Sequence, residues 1–421
     1  MASRLRNTSA LALGSVASGV LAYVFFALVT RALGPELAAP VSVLWAYWSF
    51  AGAALSFPLQ HWIARTVEAA GDEGEVRAAL PGVVRLVVAT TVVATAAAWL
   101  GRDLLFHSGT AWFPVLVGLV TLGSALMGVV RGVLTARHRF RAVGAGLVAE
   151  NALRCVAAAA LMVAGVDDPV AYGFCLVAGY ATAGLWSSAL RVGTGARDLS
   201  ATSATAFLGG SAGGQLIGQA VLTGGPVVLA LAGGSATEIT ALFAGLALFR
   251  APYTFAVGMV AAVTSAFTRL VVERRTDVLR RIRLRIVAGT LVVAALAGVL
   301  GAALGPAVLR LVFGPDVRLS SDLTAVLAVA STVAMTNLLL TVMVMAHGRT
   351  GALVLSWVVA LVPGAVWFAG SGGSALERTC AAFLVVEAAA CCLLLVVETR
   401  LGQRLGGRSA ASNTDDPNGR S

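Results

Sequence analysis

The chain contains no lysine: all 30 of its basic residues are arginine. A Walker-type phosphate loop needs a lysine at its end, so direct coupling to ATP through such a loop is excluded. Charge of either sign is scarce, at 12% of residues. No stretch between the apolar runs reaches the roughly 50 residues of a small soluble domain, so no soluble catalytic or nucleotide-binding domain fits. The five cysteines, Cys155, Cys175, Cys380, Cys391 and Cys392, all lie in apolar runs. With no C-x-x-C and no histidines at metal spacing, disulfides and zinc are not expected.

Apolar length is what the chain has in abundance. Hydrophobic residues make up 58% of it and the mean hydropathy is +0.88, more than a soluble core could bury. A membrane-spanning helix needs about 20 mostly apolar residues. Runs of that kind are found at 8–30, 37–59, 80–100, 110–130, 143–165, 169–190, 205–231, 237–268, 286–304, 322–346, 352–369 and 376–397. The expected fold class is therefore an all-α polytopic membrane protein of about 12 transmembrane helices. The run from Thr8 to Thr30 is longer than a signal-peptide core and no soluble domain follows it, which makes it an uncleaved first span. Pro252 inside the long eighth run predicts a kink or a broken helix.

Orientation follows from the arginines, since short cytoplasmic loops collect positive charge. Of the 30, 23 fall on alternate segments together with both termini, the richest being the stretch from Arg269 to Arg285, whereas Arg31, Arg102, Arg310, Arg318 and Arg378 fall on the other side. The expectation is a cytoplasmic (inner) membrane protein with both termini inside. The formal charge of +10 then reflects topology, and nucleic acid is not an expected partner. The stretch around Arg280 reads as an amphipathic helix on the anionic cytoplasmic face, a topology anchor or a capture surface for an anionic lipid.

A weak repeat suggests two related halves. Thr135-Ala136-Arg137-His138-Arg139 resembles Met345-Ala346-His347-Gly348-Arg349, and Gly34-Pro35-Glu36 has a counterpart in the stretch from Gly234 to Glu238. This gives two pseudo-symmetric six-helix bundles, 1–197 and 198–405. The polar tail 406–421 is expected to be disordered.

The end of the first span, Thr30-Arg31-Ala32-Leu33-Gly34-Pro35-Glu36, resembles the "RxLGPxxFG" ending of polysaccharide flippases in the multidrug/oligosaccharidyl-lipid/polysaccharide exporter superfamily. The loop Leu309-Arg310-Leu311-Val312-Phe313-Gly314-Pro315-Asp316 is similar to their "LxLLFGPxY" segment before the tenth span, and the two "A-x-x-R" inner loops agree. The chain departs from the pattern after Glu36, where Leu37-Ala38-Ala39-Pro40 stands. The resemblance implies a two-lobed transporter that moves a lipid-linked, diphosphate-bearing oligosaccharide from the inner to the outer leaflet by alternating access. Membrane lipids and polysaccharide-assembly proteins are its implied partners.

Charged residues at membrane depth are costly and so mark candidate sites. Arg250, beside Pro252, offers a planar donor fork suited to phosphate oxygens; the bland alternative is an arginine satisfied by carbonyls or snorkelling to an interface. Arg31 is a phosphate contact near the outer mouth or an interface anchor. Glu150 and Arg154 stand four apart on one helix face, an internal ion pair or a gate, with Asn151 nearby. Gln215 and Gln219 can bind sugar hydroxyls or a neighbouring helix, and Asn337 is read in the same two ways. Glu387 is a candidate for proton coupling or a buried partner for an arginine. No cofactor is expected, and energy would come from H+, Na+ or the membrane potential. An ion-coupled exporter of drugs or metabolites on the same architecture is the alternative function. A membrane enzyme is disfavoured, because the outer acids Glu36, Asp103, Asp167, Asp168, Glu238, Asp316 and Glu377 are dispersed.

Overall fold

The computed structural model describes the backbone of residues 2–193, 213–347 and 350–414, and most of their side chains. Among them every regular element is helical: α1 (Ala2–Leu37), α2 (Ala39–Ala51), a π-helical turn (Gly52–Ser56), α3 (Phe57–Ala70), α4 (Gly74–Leu100), α5 (Arg102–Phe106), α6 (Trp112–Ala136), α7 (Phe140–Val163) and α8 (Pro169–Ala178). A 3-10 stretch (Gly179–Ala189) follows, then α9 (Gly213–Thr223), α10 (Gly225–Leu231), α11 (Ala236–Val272), α12 (Thr276–Phe313), α13 (Ser321–Ala346), α14 (Thr350–Gly370) and α15 (Ala375–Thr414). Nine helices among the described residues are long and apolar enough to cross a membrane. The chain is an integral membrane protein.

Irregular geometry appears where a helix must meet a neighbour closely. The second apolar run is split by the π turn, whose Ser56 Oγ donates to the Ser124 carbonyl at 2.6 Å. Gly128 sits against the same turn: a Cβ there would come within 2.9 Å of the Ser56 Cα. The sixth run changes from α to 3-10 winding at Gly179. Pro252, by contrast, does not break its helix, and α11 runs from Ala236 to Val272 without a non-helical residue. α15 likewise continues past Gly406 to Thr414, where the sequence suggests a tail without helical periodicity. Residues 205–212 of the seventh run, and Gly348 and Arg349 of the repeat, lie outside the described residues.

The helices fall into two compact units. Unit 1 comprises residues 1–248 with 306–319 and 373–379; unit 2 comprises 249–305, 320–372 and 380–421. In unit 1, α6 is the enclosed element, with 72% of its spanning window buried, and it packs against α2, the π turn, α3, α4 and α8. α1 lies along α7, and a Cβ on Gly14 would come within 2.8 Å of the Gly144 Cα. Small residues permit such approach, which replaces the hydrophobic drive that lipid cannot supply. An aromatic cluster completes this core: Phe26 has ring centroids 4.4 Å from Phe243, 5.6 Å from Phe313 and 5.9 Å from Trp45.

Unit 2 contains the most lipid-like surface. Only 6% of the α12 spanning window is buried, and Leu291 and Val292 are each 69% exposed. With a mean hydropathy of 2.3 in that window, such a face belongs in hydrocarbon.

Candidate functional site

In unit 1 the predicted pair forms and gains a third member. Arg154 Nη2 donates to Glu150 Oε1 at 2.5 Å across one helical turn of α7, and Arg131 Nη2 on α6 donates to the other carboxylate oxygen, Oε2. Arg154 is fully buried. Its Nε donates to the Leu176 carbonyl at 2.8 Å and its Nη1 to Asn151 Oδ1 at 3.0 Å, while the guanidinium carbon lies 4.5 Å from the Trp48 ring and 5.3 Å from that of Tyr180. Two aromatic faces stabilise a desolvated cation. The space comes from Gly179, where a Cβ would fall 2.5 Å from Arg154 Nε. Asn151 in turn donates to Ser18 Oγ at 2.8 Å, tying α7 to α1.

In unit 2, Asn337 on α13 donates through Nδ2 to Glu387 Oε2 at 2.7 Å and to the Glu387 carbonyl at 2.8 Å. Both residues are 1% exposed. Glu387 Oε1 and Asn337 Oδ1 are buried without a hydrogen-bond partner among the described residues, leaving two oxygen acceptors at one place. Arg250 stands on α11 with its guanidinium carbon 5.1 Å from the Phe383 ring. Phe383 is one turn before Glu387 on α15.

Arg31 is placed elsewhere. It lines a pocket of about 150 Å³, together with Thr30, Gly34, Pro35, Gly314 and Asp316. The two glycine-proline motifs of the sequence thus meet in unit 1. Arg31 Nε donates to the Val312 carbonyl at 3.0 Å and Nη2 to that of Leu311, so its fork caps carbonyls at the end of α12. Gly34 has φ 71° and Gly314 φ 115°, conformations that a side chain would strain. Thr240 Oγ1 donates to the Pro35 carbonyl at 2.6 Å, which brings the Gly234 to Glu238 counterpart beside the first motif.

A fourth group surrounds the first A-x-x-R loop. Arg137 donates through Nε and Nη2 to both Glu73 oxygens at 2.6 and 2.9 Å and to the carbonyls of Ser188 and Arg191 at 3.0 Å each. Glu73 also accepts from the Gly193 amide at 2.6 Å. The Arg137 hydrogen bonds hold the Glu73 carboxyl below its ordinary range, against the opposing effect of burial.

Gln219 is half-buried on α9, and its carbonyl accepts from Thr223 Oγ1 at 2.8 Å. The Gln215 side chain lies outside the described residues. Sequence reasoning did not find Arg131, Trp48 or Tyr180. Arg131 was hidden by a span boundary drawn at 130, one residue short of it.

No family model and no curated protein matches the chain. Solved structures do. One described as the inward-facing conformation of a multidrug resistance MATE family transporter of the MOP superfamily is 16% identical, with a TM-score of 0.69 over 92% of this chain and 96% of that one. The chain has the MATE transporter fold. The outward-facing conformation of a transporter of the same description aligns with a TM-score of 0.60 at 16% identity, over 96% of both chains. A third solved structure, a MOP superfamily transporter from Pyrococcus furiosus described as having a binding pocket of reverse polarity, gives a TM-score of 0.59 at 16% identity over 95% of this chain and 96% of that one.

Proposed function

We propose that this protein is an alternating-access transporter that moves a lipid-linked anionic saccharide from the inner to the outer leaflet of the cytoplasmic membrane, with both termini cytoplasmic. One observation carries the choice of an anionic cargo: the ionisable groups set into the spans of the two clusters are three arginines, Arg131, Arg154 and Arg250, against two carboxylates, Glu150 and Glu387. A site for cationic drugs needs the opposite balance, and the polar residues available here, Gln219 and Asn337 among them, suit hydroxyl-rich groups. The two sequence halves, 1–197 and 198–405, are the lobes of this reading. Arg250 would hold diphosphate oxygens through its planar fork. Glu387, with Asn337 beside it, would take the coupling H+ or Na+ on its free oxygen.

Proteoliposomes loaded with a fluorescent prenyl-diphosphate saccharide test the reading. R250A is expected to reduce translocation to the rate of protein-free vesicles while the protein still accumulates folded; undiminished translocation would remove Arg250 from the site. Efflux of cationic dyes by the same vesicles, with no movement of the saccharide lipid, would favour the drug exporter.

A further inference from the structure

The buried cluster of unit 1 is one negative charge short. Glu150 is shared between two guanidiniums, and a guanidinium cannot shed its proton to escape burial. Arg154 is fully provided for by Leu176, Asn151, Glu150 and two aromatic faces. Arg131 is not. Beyond its bond to Glu150, its Nε is buried with no hydrogen-bond partner among the described residues, and its side chain is 11% exposed. A cluster with one positive charge in excess is costly in a low-dielectric bundle and marks a candidate functional site.

The backbone around Arg131 is also shaped unusually. The π turn that ends at Ser56 packs on α6 at Ser124 and Gly128, less than a turn before Arg131. One turn beyond Ser56, the Gln60 amide reaches Thr135 Oγ1 at 3.4 Å, one turn beyond Arg131. π turns inside α-helices concentrate at functional sites because the extra residue re-aims the side chains that follow. Here the segment that follows the turn sets the Gln60 amide on α6 at Thr135, one turn beyond the cation that shares its counter-ion with Arg154.

We infer that Arg131 is the anchor of an oxyanion-binding site in unit 1, taking a phosphoryl or carboxylate group on the guanidinium donors that Glu150 leaves unused. Two arginines around Glu150 keep the local charge positive after the carboxylate is counted, so an arriving anion neutralises the cluster. The residues of this site all belong to unit 1, and the inference does not depend on the cargo being a lipid.

The test is isothermal titration of the purified full-length protein in detergent with inorganic pyrophosphate and, in parallel, with a short-chain prenyl diphosphate. The wild type should bind pyrophosphate saturably. R131Q, which leaves a neutral Glu150–Arg154 pair and so should fold with equal or higher thermal stability, should bind about tenfold or more weakly. R131K, which retains the charge but loses the fork, should fall between them, and R102A, at an arginine that belongs to neither cluster, should bind pyrophosphate like the wild type. Tighter binding of the prenyl diphosphate than of pyrophosphate identifies a lipid headgroup as the source of the oxyanion, and equal binding identifies a free anion. Pyrophosphate binding by R131Q within twofold of the wild type overturns the inference, as does loss of binding only together with loss of fold in both Arg131 variants.

Discussion

Arg31 and Arg131 exchange the importance that sequence alone suggests. Arg31 belongs to a recognisable motif, yet its fork is occupied by the Leu311 and Val312 carbonyls at an exposed helix end. R31A should therefore lower stability by about 1 kcal/mol, as expected for charged hydrogen bonds that water can partly replace. R31K should not restore it, since an ammonium cannot span two carbonyls as a planar fork does; thermal unfolding in detergent reads both variants. Glu150 is the more sensitive position. E150Q strands two guanidiniums at once, and a destabilisation of about 3–5 kcal/mol is expected, or failure to accumulate in the membrane. The Glu150–Arg154 pair was legible because i, i+4 spacing is local. Arg131, 19 positions away on another helix, left no comparable trace, and neither did the Asn337–Glu387 contact across 50 positions.

At the level of elements, the apolar runs predicted where helices lie because length and composition alone decide what hydrocarbon accepts. How each helix is wound was not legible. The π turn lies where Ser56 meets Ser124 and Gly128, and the change at Gly179 lies where the backbone packs on Arg154, both facts of packing. Pro252 carries the opposite lesson, since the proline leaves α11 continuous. The Glu73–Arg137 clasp joins the end of α6, the start of α4 and the segment after the sixth run. Its pH behaviour follows from the lowered Glu73 pKa. A carboxyl whose folded pKa lies below its unfolded value adds stability above the ordinary range near 4.5 and loses it as pH falls through the folded value. Unfolding temperature should accordingly be flat with respect to this group from neutral pH down to about 4.5, then decline. E73Q should be less stable at neutral pH and lose part of that acid-side decline, which fluorimetry of both proteins across the range would show.

For the molecule as a whole, the arginine distribution makes a prediction independent of any substrate. In a variant lacking the five native cysteines, single cysteines at Arg280 and Arg281 should react with a membrane-impermeant maleimide only in inside-out vesicles, and one at Asp316 only in intact cells. Reversed labelling would invert the orientation and with it the direction of transport. The sequence legibly indicated the fold class, because twelve apolar runs and a sided charge pattern leave few architectures open.

The composition of unit 1 has a practical consequence. Because it recruits residues 306–319 and 373–379 from far along the chain, a fragment ending near 248 would lack Phe313 against Phe26 and the carbonyls that occupy Arg31. Severing the polypeptide between the sequence halves should not release two self-sufficient modules. Complementation should demand that both pieces be synthesised in the same cell.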